Sequence, residues 1–131
     1  MNNFEESIIS YDNALLINPQ HIRSLQNKAI SSEKIGNYKQ SLECYEKLYI
    51  LRPDDYNTLN GLAWALALNN IFDRALEYVN KALDIEYQKE YIWHTKAYIM
   101  MNLGKFVEAL DIFEISLYFN NKYFESLRDM S

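Results

Sequence analysis

The sequence predicts an all-α fold built on a 34-residue repeat, and three observations carry that prediction. Side chains of like kind return at this interval along the whole 131-residue chain. Only 3 Gly and 2 Pro are present, too few to turn the many short strands of a β-sandwich or barrel. Hydrophobic residues make up 49% and charged ones 24%, the balance of one packed domain rather than a disordered chain.

The columns of the repeat each have a physical reason. Asn2, Gly36, Asn70 and Gly104 alternate between the two residues that best accept the left-handed conformation closing a helix. The aromatic two positions later (Phe4, Tyr38, Phe72, Phe106) opens the next helix and plugs the elbow. Ser7, Ser41, Ala75 and Ala109 are small enough to let paired helices approach. One turn further along the same face stand Tyr11, Tyr45, Val79 and Phe113. Ala29, Ala63 and Ala97 form another small column, and Leu25, Leu59, Trp93 and Leu127 a large apolar one. Pro19 and Pro53 follow second helices, where a missing N–H and a fixed φ stop propagation.

Taken in chain order, these signals predict helices over 3–17, 22–35, 38–51, 56–69, 72–85, 90–103 and 106–119, with a short further piece from about 122. The segment 3–17 ends before Pro19, and 22–35 before Gly36. Next, 38–51 starts at the elbow Tyr38 and stops at Pro53, while 56–69 runs up to Asn70. Segment 72–85 opens on Phe72, 90–103 closes at Gly104, and 106–119 opens on Phe106.

This pattern of a large apolar residue, small residues, an elbow aromatic and a closing proline resembles the tetratricopeptide repeat. The resemblance covers essentially the whole chain. The copy at 22–55 carries it best, through Leu25, Ala29, Gly36, Tyr38, Ser41, Tyr45 and Pro53. Copies at 56–89 and 90–123 follow with Tyr87 and Asn121 in the proline's place. Lys28 and Lys96 stand where the family prefers Leu, which Leu62 keeps, and are expected to weaken local packing but not the register. The resemblance implies a right-handed superhelical solenoid of antiparallel helix pairs, with a concave and a convex side and nearest-neighbour stability. As one domain, 1–131 divides into a half repeat at 1–21, full repeats at 22–55, 56–89 and 90–123, and a partial capping helix at 124–131. Both ends then look incomplete. Ile8, Tyr11 and Leu15 are expected to lack a partner helix, and Phe124 and Leu127 to belong to an unfinished one.

Composition narrows the function classes. The net charge is −5, with 18 acidic against 13 basic residues and no basic cluster, which disfavours nucleic acid as a partner. The longest apolar stretch, Leu62 to Leu68, is far short of a bilayer span, and Met1 opens a polar, acidic start with no basic-then-apolar leader. A cytoplasmic protein without membrane attachment is the expectation. Lone Cys44 can form no internal disulfide.

Catalytic chemistry is not expected. His21 and His94 have neither zinc-ligand spacing nor a cysteine neighbour, and phosphate-loop, dinucleotide and nucleophile-elbow motifs are absent from the sequence. Glu5-Glu6 and Asp54-Asp55 read as charges favoured at helix N-termini. Cys44 lacks a nearby His and reads as a passive helix residue. No cofactor or metal is expected.

The surface carries more. On each first helix, the stripe opposite the Leu25, Leu59 and Trp93 column should face the groove. It reads Arg23, Gln26, Ile30, Glu33, then Asn57, Asn60, Trp64, Ala67, then Tyr91, His94, Tyr98, Met101. Ile30, Trp64 and Tyr98 form one column of large groups where a solvated face would be polar. Two readings are open: neighbouring repeats cover Trp64 and Ala67, or the column lines a peptide groove with a polar rim. On the second reading Arg23, Gln26, Ile30, Asn60, Trp64, Tyr91, His94, Tyr98 and Met101 are the partner-binding residues. The expected function is a non-enzymatic protein-interaction module holding a peptide or helix of a partner. The alternative is self-association through the open ends. One branch of the family clamps acidic chaperone tails with Lys, Asn and Arg. The matching positions here are Gln26, Ile30, Gly61, Tyr91 and Thr95, so such binding is not expected.

Overall fold

The computed structural model describes residues 3–129, with side chains through residue 122. Among the described residues are seven α-helices and no strand. They are α1 (Asn3–Ile17), α2 (Ile22–Lys34), α3 (Tyr38–Leu51), α4 (Tyr56–Leu68), α5 (Phe72–Ile85), α6 (Glu90–Asn102) and α7 (Phe106–Asp129). Each helix packs on its chain neighbours, and α4 also meets α6. Contacts confined in this way define a solenoid of stacked helix pairs.

The repeat columns act as their chemistry requires. Gly36, Asn70 and Gly104 have φ of 80°, 62° and 82°, the left-handed region. The chain then closes each helix with a six-residue backbone loop. Asn37 N donates to Ser32 O at 2.8 Å, Ile71 N to Leu66 O at 2.9 Å and Lys105 N to Met100 O at 2.9 Å. The starts of α2, α3 and α4 carry side-chain caps, whereas those of α5 and α6 do not. His21 Nδ1 accepts from Ser24 N at 3.2 Å, and Asp55 Oδ2 from Thr58 N at 3.3 Å and Thr58 Oγ1 at 2.7 Å. His21 thus has a structural duty at the start of α2. Ala29, Ala63, Ala97, Ala75 and Ser41 are buried where paired helices come closest, with Leu25 and Leu59 beside them. Trp93 faces its own second helix as expected. Its ring stacks on Phe119 at 6.5 Å, and its Nε1 donates to Tyr87 O at 2.6 Å.

Three expectations are corrected. First, α7 does not stop at 119; it continues as one helix to Asp129. Tyr87 also replaces proline, yet α5 ends there because Trp93 holds the Tyr87 carbonyl and the Glu86 side chain accepts from Gln88 N at 2.9 Å. Asn120 and Asn121 keep their N–H groups, so nothing of proline's kind interrupts the helix. The side chains of Phe124 and Leu127 lie outside the described residues. Second, Ile8 is buried and Tyr11 and Leu15 are half-buried. As a second helix, α1 turns that face onto α2 and leaves Ile9, Leu16 and Ile17 outward. Third, Lys28 does not simply weaken packing: it pairs with Asp12 of α1 at 2.6 Å, its side chain only 17% exposed.

Candidate functional site

The first helices α2, α4 and α6 stand side by side, and long side chains join them across the gaps. Trp64 Nε1 on α4 donates to Glu33 Oε1 on α2 at 2.9 Å. The Trp64 ring lies 4.9 Å from Tyr98 and 6.5 Å from His94, both on α6. His94 in turn meets Phe113 of α7 edge-on at 5.9 Å. At the other end of the helices, Tyr91 Oη donates to Asn57 Oδ1 at 2.6 Å. A ladder of side-chain bonds therefore runs from α2 through α4 to α6. All of its members remain half-buried or exposed.

Of the nine residues expected from sequence, Trp64, His94 and Tyr98 come together in one ring cluster. Tyr91 is tied to α4, while Arg23 and Met101 are exposed. Gln26, Ile30 and Asn60 line a separate recess. Ala67, on the same stripe, is fully buried, in agreement with the reading in which neighbouring repeats cover it. A three-residue step falls about 60° short of a full helical turn. That rotation carries Ala67 under α6, which packs on α4. Met101, at the matching place on α6, is 43% exposed. The two sequence readings of Trp64 are not exclusive, since neighbouring repeats cover one side of the ring and solvent reaches the other.

The recess arises from spacing. No Cα of α2 lies within 8 Å of one in α4, whereas α4 and α6 do approach that closely. Between α2, α3 and α4 this leaves a cavity of about 320 Å³, walled by Gln26, Asn27, Ile30, Asn57, Asn60 and Gly61. Tyr45 from α3 closes it from behind. Gly61 is glycine because the Tyr45 ring occupies the space a Cβ would take. Burial, with the Glu33 carboxylate adding to it, pushes the Tyr45 phenol up to about 12, so it stays neutral in any cellular setting. Asn60 Oδ1 is buried without a hydrogen-bond partner. Glu33, Asn57, Asn27, Tyr45 and Gly61 were not among the expected binding residues. A glycine inside an otherwise apolar helix was the available signal, since it marks a close approach.

Elsewhere the chemistry is quiet. Burial raises the Cys44 thiol despite the nearby Lys28 and Lys47, which disfavours the nucleophilic thiolate. Burial also raises the Tyr91 phenol, aided by Tyr56 and Glu90. Among the described residues, no group of three His, Cys, Asp or Glu side chains could hold a metal, and no helix is long and apolar enough to cross a membrane.

Comparison with known proteins agrees with the repeat register. The family described as tetratricopeptide repeat matches residues 22–55. The tetratricopeptide repeat-containing protein trd-1 of Caenorhabditis elegans is 24% identical over 91% of this chain. TPR repeat-containing protein MJ1428 of Methanocaldococcus jannaschii is 25% identical over 97% of it. The chain spans only 15% and 24% of the lengths of these two relatives. Among solved structures, MamA from Desulfovibrio magneticus RS-1 superposes with a TM-score of 0.83 at 18% identity, covering 92% of this chain and 68% of that one. A second, MamA MSR-1, gives 0.78 at 18% identity over 92% of this chain and 69% of the other. That likeness is one of fold. The chain is thus a helical-repeat solenoid similar to tetratricopeptide-repeat proteins, and its copy at 22–55 matches that family's model directly.

Proposed function

We propose that the chain is a non-enzymatic interaction module, working in the cytoplasm, that holds a peptide or helix of a partner protein along α2, α4 and α6. One observation carries the reading: the half-exposed aromatic ladder is already fixed by bonds between successive first helices. Such a surface loses little freedom when a partner arrives. Partly buried Trp and Tyr beside polar groups are also the residues that dominate interface energies. The free thiol of Cys44 suits a reducing compartment. A photo-reactive side chain at Met101 tests the reading in native lysate, with the same probe at exposed Glu77 of α5 as control. Crosslinks specific to position 101 and lost in a Tyr98→Ala background support it. Equal labelling from both positions sinks it.

A second reading is self-association through α7, and the register favours it. Leu110 and Leu117 are 64% and 60% exposed, while their counterparts Leu42 and Leu76, Tyr49 and Leu83 are buried or half-buried beneath the following helix. Sedimentation across concentration decides this one. Dimers that Leu110→Glu abolishes support it, and a monomer throughout removes it.

A further inference from the structure

We propose that the cavity between α1, α2 and α3 binds a small aromatic carboxylate, its ring on Leu15 and Leu25 and its charge on Lys47 and Lys28. The site lies on the face of α2 opposite the groove stripe, so it goes beyond the peptide reading and does not rest on it. The cavity measures about 290 Å³, the small end of the range for ligand pockets. Leu15, Leu16, Pro19 and Leu25 give it apolar walls, and Asp12, Lys28 and Lys47 are its charged groups. Asp12 is answered by Lys28 at 2.6 Å, which leaves further N–H donors on the Lys28 ammonium. Lys47 has no ion-pair partner among the described residues. Two lysines against one aspartate leave the lining with an excess positive charge, which a carboxylate matches and an ammonium does not.

The repeat explains why space is left here and what shape it takes. A step of 34 residues turns Leu15 into Tyr49, Cys44 into Tyr78, Lys28 into Leu62 and Lys47 into Lys81. In that next repeat Tyr49 and Tyr78 meet edge to face, their ring centroids 5.2 Å apart. Lys81 Nζ sits over the Tyr78 ring, 5.1 Å from its centroid, and Leu62 is fully buried. The earlier repeat has neither ring. Cys44 stands beside the cavity: its thiol, raised by burial, also feels the charges of Lys28, Lys47, Asp12 and Glu43. Leu15 and Cys44 fill less space than two tyrosines, and Lys47 lacks the ring that its counterpart covers. A ligand ring supplies the missing aromatic bulk, and a carboxylate on that ring meets the ammonium left without one.

The test titrates phenylacetate into the chain while isotope-labelled leucine methyl signals are followed. Saturable shifts at Leu15, Leu16 and Leu25 are expected, with an affinity that falls as salt is raised. Neutral phenylacetamide and ringless acetate should each bind at least about threefold more weakly, and Lys47→Gln should weaken phenylacetate by about the same factor. Cys44→Tyr restores the ring found one repeat later and should abolish the shifts. Leu16→Ser, at an exposed position of the wall, serves if that variant folds poorly, and should weaken the probe at least about threefold. Shifts that never saturate mean that the cavity holds only water. Phenylacetamide binding as tightly means that the lysines read no charge, and acetate binding as tightly means that the ring contributes nothing. Full-strength binding to a folded Cys44→Tyr or Leu16→Ser protein moves the ligand off this cavity. Each of these results overturns the proposal.

Discussion

The contact between Tyr45 and Gly61 has an internal control one repeat later. Moving both positions by 34 residues gives Val79 and Thr95, which are both buried. A large residue faces none in the first case, and a medium residue faces a medium one in the second. The perturbation is Gly61→Ala. In an open helix this change adds about 1 kcal/mol of stability, because alanine loses less backbone freedom than glycine on folding. Here the new methyl falls on the Tyr45 ring, where three ring atoms lie closer than any normal carbon contact. Tyr45 is packed against the core of α4 and α5 and has little room to yield. Overpacking costs roughly 1–3 kcal/mol, so the net change is a loss of about 1 kcal/mol, with about 2 at the upper end.

In a Tyr45→Val background the ring is gone, and the same Gly61→Ala change should become stabilising by about 1 kcal/mol. The coupling between the two sites is then about 2 kcal/mol, large for a pair of neighbours. Urea unfolding followed by circular dichroism reads all four proteins. Combining Gly61→Thr with Tyr45→Val should recover much of the stability that Gly61→Thr alone loses. If Gly61→Ala raises stability equally in the parent chain and in the Tyr45→Val background, the steric account is refuted and the glycine has some other cause.

Three further outcomes can be checked. Trp64→Ala should destabilise the array by about 2–3 kcal/mol, below the value for a fully buried Trp because one side of the ring faces water; Trp64→Phe should lose about 1 kcal/mol, and a cycle with Glu33→Ala should find that loss coupled to the Glu33 bond. Alkaline solution should weaken the fold through Tyr45: its neutral form is favoured when folded, so the contribution is intact below about pH 10 and disappears as pH rises toward 12, and Tyr45→Phe should flatten this fall in urea midpoint. Acidic chaperone-tail peptides should give no heat in calorimetric titration, because Gln26, Ile30, Gly61, Tyr91 and Thr95 present no cation to a carboxylate; a salt-sensitive micromolar affinity would contradict this.

Most of the fold was legible because its punctuation is local. The left-handed positions Gly36, Asn70 and Gly104 each fix a helix end through one backbone conformation. The ends of α2, α4 and α6 accordingly fall one residue before the expected ones. What escaped depends on how repeats rotate against one another. The bond between Trp64 and Glu33 spans 31 residues and two helices, and no single-helix stripe reveals it. The same rotation buries Ala67 and leaves Met101 open, although both hold one place in the repeat. For α1 the error was one of direction: its apolar face belongs to the helix that follows, so the face of Ile8 was never the open one. The carboxamide recess was mostly legible, since Gln26, Asn57 and Asn60 were read from the stripe, but Asn27 lies one residue off it.

The ladder along α2, α4 and α6 also changes what a binding measurement on this chain would mean. In a solenoid, neighbouring repeats are coupled only through their shared interface. Here part of that interface is the half-exposed bond from Glu33 to Trp64 and the ring contact from Trp64 to Tyr98. A ligand that covers these side chains removes water from bonds that also hold successive repeats in register. It therefore binds the stacked array better than an array whose repeats have slipped or opened. By linkage, occupancy must raise the stability of the stack by RT ln(1 + [L]/Kd), about 2.7 kcal/mol at a hundredfold excess over Kd. If the proposed groove is the binding face, binding residues and stability residues are the same residues there. A variant such as Trp64→Ala will lower both quantities, and separating them requires measuring affinity at a temperature where the variant is still fully folded.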